Sequence, residues 1–257
     1  MTCAIKSIHY CPVKSVSFQS IKSSNIKKNL GMLNDRMFAF SRGIDIEKAK
    51  LIEKNPNERK LNNFLTLKNS SFLNKYNFIY KNEKLTLTYQ EKELLTISPN
   101  NIDQRSLLSN KLIELESSLT KPIFLLKNND FPFYDTSHSN KVLNSMSLIN
   151  LNSVVDFENK INQKVEFQRF RANFYVEGIE AWKETNWINK IIKINNVSFK
   201  VEKKIPRCVA INLKPKTDVK TNLLGSLKEQ YNHFDMGIYL TALVDGEVNI
   251  GDKIDLI

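Results

Sequence analysis

The chain has 257 residues, 41% of them hydrophobic and 25% charged, enough for one large β-rich domain or two smaller ones around a real core. No stretch approaches the roughly 18 apolar residues of a membrane-spanning helix, and Met1-Thr2-Cys3-Ala4 opens without the segments of a signal peptide, so a cytoplasmic chain with no membrane partner is expected. The net charge of +11 suggests nucleic acid, but its pattern argues against that partner: only seven of 38 basic residues are arginine, the lysines are scattered among asparagines, and no block of five basic residues occurs.

The first 45 residues predict short strands at Ile5–Tyr10, Val16–Ile21 and Met37–Phe40, with Gly31 turning the chain before Asp35-Arg36. Residues 45–63 are charged and ambiguous. Further strands are expected at Asn77–Tyr80, Leu85–Tyr89 and Glu93–Ser98, and a helix from Asp103 to about Leu119. Pro122–Leu126 reads as a strand, 127–143 as a loop, and Ser147 to about Asn162 as a second helix. Strands follow at Phe170–Val176, Val197–Val201 and Val209–Leu213, then a short helix at Asn222–Tyr231. Gly237–Val244 and Gly246–Asp252 predict a closing hairpin. Strands outnumber helices and the helices are not regularly interleaved, which predicts a strand-dominated α+β fold, a β-barrel with added helices rather than a doubly wound sheet. A soft boundary falls near residue 100.

Three cysteines, Cys3, Cys11 and Cys208, make no disulfide framework and are too few for a four-cysteine iron–sulfur cluster. His9, His138 and His233 stand apart, so a histidine-built zinc site is not expected, and the seven glycines form no phosphate loop. The most informative residue is Cys208, in Ile205-Pro206-Arg207-Cys208-Val209: a thiolate next to a guanidinium and ahead of an apolar run can serve as a metal ligand or a nucleophile. Arg36, Arg169, Arg171 and Arg207 all fall in candidate motifs, where the planar fork suits phosphate or carboxylate better than lysine does. Each has a plain alternative: Asp35-Arg36 as a structural ion pair, Arg171 paired with Glu177 or Glu180, Cys11 as buried filler, Trp182 and Trp187 as core or pocket wall.

Six fragments in order, Cys11-Pro12-Val13-Lys14-Ser15, Gly31 to Arg36, Asp135-Thr136-Ser137 with Leu143–Leu148, Phe170-Arg171-Ala172-Asn173, Arg207-Cys208, and Gly237-Ile238-Tyr239 through Gly251-Asp252, resemble the MOSC family with its N-terminal β-barrel partner. The nearest subgroup is that of the mitochondrial amidoxime reducing component and its bacterial relatives. The resemblance implies a MOSC-type β-barrel with peripheral helices over 101–257 and an N-terminal β-rich subdomain over 1–100. It implies a molybdenum cofactor (molybdopterin with molybdenum) and reduction of small N-hydroxylated or N-oxygenated compounds. Cys208 would then be the catalytic thiolate ligand of molybdenum. Lys14, Ser15, Arg36, Thr136, Ser137, Arg171 and Asn173 would hold the pterin and its phosphate, and Arg169 and Arg207 would add charge. Some bacterial relatives carry a ferredoxin-like domain whose cysteines have no counterpart up to Ile257. Electrons are therefore expected from a separate ferredoxin, cytochrome b5-like protein or flavoprotein. Ala172 stands where the family often has proline, and His138 follows the Asp-Thr-Ser run as a possible proton donor. A sulfurtransferase or cofactor-delivery protein using Cys208 as persulfide is the alternative.

Overall fold

The computed structural model describes residues 2–16, 18–134 and 145–257. Its first strands are β1 (Ala4–Tyr10), β2 (Gln19–Ile21), β3 (Ser23–Lys27), β4 (Gly31–Met32) and β5 (Phe38–Phe40), followed by helix α1 (Ile46–Lys54). Next come β6 (Tyr76–Lys81), β7 (Lys84–Tyr89), β8 (Lys92–Ile97), α2 (Ile102–Leu115) and β9 (Leu125–Lys127). The remainder is β10 (Met146–Asn150), α3 (Leu151–Ile161), β11 (Phe174–Glu177), β12 (Ile191–Ile194), β13 (Val197–Pro206), α4 (Leu223–Tyr231), β14 (Asp235–Ala242), β15 (Gly246–Asn249) and β16 (Ile254–Leu256). The strand-dominated α+β expectation holds.

The chain divides into two compact units that interleave in sequence: unit one is 1–10, 18–33 and 141–257, and unit two is 11–17 and 34–140. This differs from the boundary expected near residue 100. β1 belongs with the C-terminal half because it pairs with β11 (Ile5 opposite Val176, Ile8 opposite Phe174). α2 stays with the segment before it, since Ser98 N donates to Gln104 Oε1 at 2.5 Å and Leu125 N to Ser109 Oγ at 3.0 Å.

Unit one is built on an eight-stranded sheet in the order β16-β12-β13-β14-β10-β11-β1-β2, with β15-β3-β4 as a second sheet. All neighbours in the large sheet are antiparallel except β10 and β11. A parallel pair needs a crossover, and α3 supplies it. The central strands are buried on both faces. Met146, Leu148, Phe174, Val176, Ile238 and Leu240 point into one core, while Ile149 and Tyr175 join Val154 and Phe157 of α3 and Leu223 and Leu227 of α4 in another. This alternation is the period-two geometry of a strand between two layers.

The sheets are open rather than closed into the expected barrel. One isolated bridge, Ala4 to Lys253, and hydrogen bonds from Ile5 N to Asp252 O (2.9 Å) and Ile254 N to Cys3 O (2.9 Å) reach between the β16 end and β1 without extending into a ladder. Three local expectations also change. The helix expected from Ser147 begins at Leu151, because Met146–Asn150 is a buried strand and Asn150 caps the helix by accepting from Asn152 N (3.0 Å). Val209–Asn212 is a 3-10 turn, not a strand. β14 and β15 form no hairpin; β15 pairs with β3 (Gly246 opposite Ile26, Val248 opposite Ser24).

Unit two holds the sheets β5-β9 and β6-β7-β8. Phe38 and Phe40 of β5 meet Tyr80 and Phe78 of β6 with ring centroids 5.4 and 5.6 Å apart. The ambiguous run after residue 45 is helix α1. Asp45 caps it by accepting from Lys48 N (2.8 Å), and Ala49 and Ile52 are its buried residues.

Candidate functional site

Cys208 opens the 3-10 turn Val209–Asn212, and its carbonyl accepts from Ile211 N at 3.1 Å. The thiol is half-buried, unlike the buried Cys3 and Cys11. Burial, with Glu184 adding to it, pushes the Cys3 thiol up to about 12, so Cys3 is inert. Cys11 Sγ lies 2.7 Å from the carbonyl oxygens of both Val13 and Val16, a buried structural thiol.

The turn is braced from two sides. Arg169, only 4% exposed, donates through Nε to Glu166 Oε2 (2.8 Å) and through Nη1 to Asn212 O and Thr221 Oγ1 (both 3.1 Å). Glu166 also takes Lys214 (3.1 Å). Partial burial works against its charge, but the bonds from Arg169 and Lys214 hold its carboxyl down at about 2. Arg207 donates through Nε to Met236 O (2.8 Å), through Nη1 to Phe170 O (2.6 Å) and through Nη2 again to Met236 O. Burial lowers its basicity, and Cys208 remains within its electrostatic reach. Arg169 and Arg207 thus have their donors directed to protein acceptors and fix the ground on which Cys208 stands.

Gly237 explains why Met236 can receive Arg207. β14 bulges there: Pro206 pairs with Asp235 while Lys204 pairs with Ile238, and Gly237 has φ +81°. The bulge turns Met236 into the helix-side core although Ile238 and Leu240 face the other one. A Cβ at Gly237 would lie 2.4 Å from Leu148 O and 2.6 Å from Ile149 Cγ1.

Arg171 adopts a left-handed backbone (φ 53°) and lays its guanidinium over the Phe18 ring, 4.6 Å from the centroid. Phe18 also packs edge-on to His9, whose ring is flanked by Phe167 and Tyr175 at 6.0 and 5.3 Å. Asn173 is fully buried. Its Oδ1 accepts from Ser147 N (3.1 Å) and Oγ (3.0 Å), and its Nδ2 donates to His9 O (3.2 Å), tying β1, β10 and β11 together.

In unit two, the sequence-predicted Lys14, Ser15 and Arg36 come together on two adjoining segments. Arg36 N donates to Cys11 O (2.6 Å) and Lys14 N to Phe38 O (2.7 Å). Lys14 is buried, with Nζ 3.1 Å from Phe133 O. Ser15 is half-buried in a left-handed conformation (φ 63°). Arg36 pairs with fully buried Asp35, which also accepts from Cys11 N (2.7 Å), and lies over Tyr134. Thr136 and Ser137, with Asp135 and His138, lie outside the described residues.

Sequence reasoning left Trp182 as core or pocket wall and gave no role to its neighbours. They line a cleft of about 510 Å³ in unit one. Trp182 Nε1 and Tyr231 OH both donate to Asp156 Oδ2 at 2.7 Å, and His233 stacks on Tyr231 with centroids 5.9 Å apart. Lys160 covers the Tyr231 face at 4.2 Å. Lys204, Asp235 and Gly237 contribute the sheet side. Trp182 has φ 66°, rare for a large side chain and compatible with a functional constraint. The signal in the sequence was spread over Asp156, Trp182 and Tyr231 on three separate segments.

Among the described residues, no group of three or more His, Cys, Asp or Glu gathers to hold a bare ion, and no helix is long and apolar enough to cross a membrane. A lone half-buried thiol suits a metal that brings its other ligands with it.

Residues 135–255 match the model of the MOSC domain. Mitochondrial amidoxime reducing component 2 of Rattus norvegicus is 29% identical over 120 residues, covering 42% of this chain and 35% of that protein. The Homo sapiens protein of the same name is 28% identical over 115 residues, 40% of this chain and 34% of the relative. The match thus spans about a third of these relatives' length. Among solved structures, YUAD protein from Bacillus subtilis is 10% identical over 99% of this chain and 94% of its own, with a TM-score of 0.46. YiiM from Escherichia coli is 13% identical over 44% of this chain and 53% of its own, with a TM-score of 0.34. The match to the MOSC domain thus lies in residues 135–255, the C-terminal part of the chain.

Proposed function

We propose that the protein is a molybdenum-cofactor-binding oxidoreductase that reduces small N-hydroxylated compounds with electrons from a separate carrier. One observation carries the reading. Cys208 is the half-exposed cysteine of the three, and it stands on a turn fixed by Arg169 and Arg207 within the MOSC domain. The relatives named for amidoxime reduction support the choice of substrate.

The donor set fits the cofactor. Cys208 would give a soft thiolate to molybdenum, and Arg171, half-buried over Phe18, would give a guanidinium to its phosphate. Roles for Lys14, Ser15, Arg36, Thr136 and Ser137 rest on the resemblance alone. Asn173, Arg169 and Arg207 act as positioning residues, since their side chains hold the strands and the turn. When bound, the cofactor supplies two-electron chemistry. For an amidoxime, two electrons and two protons break the N–O bond and yield the amidine and water. Within the chain, Arg207 keeps the Cys208 backbone in place through its bonds to the carbonyls of Phe170 and Met236.

The test compares wild type with Cys208→Ala, both purified from a cofactor-competent host. Wild type is expected to hold stoichiometric molybdenum and to reduce benzamidoxime with reduced methyl viologen. The variant should lose the metal and at least about 100-fold in turnover. Molybdenum retained in the variant would refute the ligand role. A cyanide-labile persulfide on Cys208 with no molybdenum in wild type would establish the sulfur-carrier alternative.

A further inference from the structure

We propose that the surface beside Cys208 docks a small acidic electron-carrier protein; this rests on the reductase reading and names the partner of the same site. Residues 203–228 contain six lysines against Asp218 alone; Lys214 pairs with Glu166 and Arg207 is turned inward, which leaves five lysines to the surface of this stretch. At the edges of this stretch, Glu202 pairs with Lys200 (3.1 Å) and Glu229 adjoins it. Lys204, Lys216, Lys220 and Lys228 are exposed.

The charge is held in a defined place. The loop after the Cys208 turn folds back through the bridge Leu213 to Lys220 and the bond from Lys214 N to Val219 O (2.9 Å). It is fastened to the turn by Thr221 N to Asn212 O (2.9 Å) and Leu224 N to Asn212 Oδ1 (2.8 Å). The same neighbourhood exposes apolar side chains: Val209, next to Cys208, at 47%, Val219 at 53% and Phe234 at 42%. The Phe234 carbonyl accepts from Arg207 N (2.8 Å), and Lys228 Nζ lies 5.6 Å from the Phe234 ring.

Apolar side chains bordered by ammonium groups are the anatomy of a steered protein interface. Two of the three are aliphatic and offer nothing for a base to stack on, which favours protein over nucleic acid. The chemistry asks for such a partner. Each turnover consumes two electrons, so two one-electron carriers are oxidised in succession beside Cys208. Complementary charge raises encounter rates without requiring tight binding.

The test is fluorescence anisotropy of a labelled plant-type [2Fe–2S] ferredoxin titrated with the full chain at low and raised ionic strength. The variant K216E/K220E/K228E is compared with K50E/K84E/K92E, which changes net charge equally on exposed lysines of unit two. Thermal melts confirm that both are folded. The loop variant should bind at least about tenfold more weakly and with a shallower salt dependence, with the control within about twofold of wild type. Viologen-driven reduction should be unchanged in both. Equal weakening by the two variants, wild-type binding by the loop variant, no ferredoxin binding at all, or tighter binding of a single-stranded RNA through the same lysines would overturn the proposal. Absence of molybdenum would instead remove the reductase reading, and the anisotropy would still decide the docking face.

Discussion

His9 shows how a single buried side chain sets a pH response. Desolvation pulls its pKa down from the ordinary 6.5 to about 4, inside a ring of Phe18, Phe167 and Tyr175 with Ser7 Oγ 3.2 Å from Nε2. The folded state therefore resists a proton that the unfolded state takes up below pH 6.5. Stability is full above that value and falls as pH drops towards 4, by about 3 kcal/mol over the window. Urea titrations of wild type and His9→Phe should diverge between those limits, with the variant losing this part of the slope; parallel curves would contradict it. His9 and Cys208 differ in legibility. Cys208 stood out as a thiol beside an arginine. The environment of His9 comes from residues 18, 167 and 175, and no local pattern announces it. The same holds for Arg207, visible as a charge but not as a brace, because its acceptors, the carbonyls of Phe170 and Met236, have no side-chain signature.

At the scale of elements, β6 and most of β7 were readable because their burial alternates along the strand, while β1 and β8 were readable from their apolar and β-branched residues between turns. β10 was not. Its residues are all buried, and a short run buried on both faces looks the same as the start of a helix. The pairing of β15 with β3 was equally hidden, since nearness in sequence to β14 suggested a hairpin. The β14 bulge depends on Gly237. Gly237→Ala forces a left-handed alanine and a Cβ against Leu148 O, and should cost on the order of 2 kcal/mol or more. A shift of the urea midpoint with unchanged slope would show it; a wild-type midpoint would mean the bulge tolerates the change.

Across the whole molecule, the composition anticipated a large β-rich chain, while the threading between units was out of reach of any local rule. The chain crosses between units after residues 10, 17, 33 and 140. Ile5, Ile8, Ile26 and Met32, all early in the sequence, sit in the same core as Phe199 and Leu240. A fragment of residues 101–257 lacks β1 and β3, the partners of β11 and β15. It should show no cooperative thermal transition by circular dichroism, and a sharp one would mean that the missing strands are dispensable. The threading also orders events during synthesis. β1 leaves the ribosome long before β11, more than 160 residues later in the chain; β2 follows at once to pair with one of its edges, but the edge that β11 covers waits while residues 34–140 emerge. A nascent chain stalled between these points holds an incomplete strand edge, open to mispairing until β11 emerges.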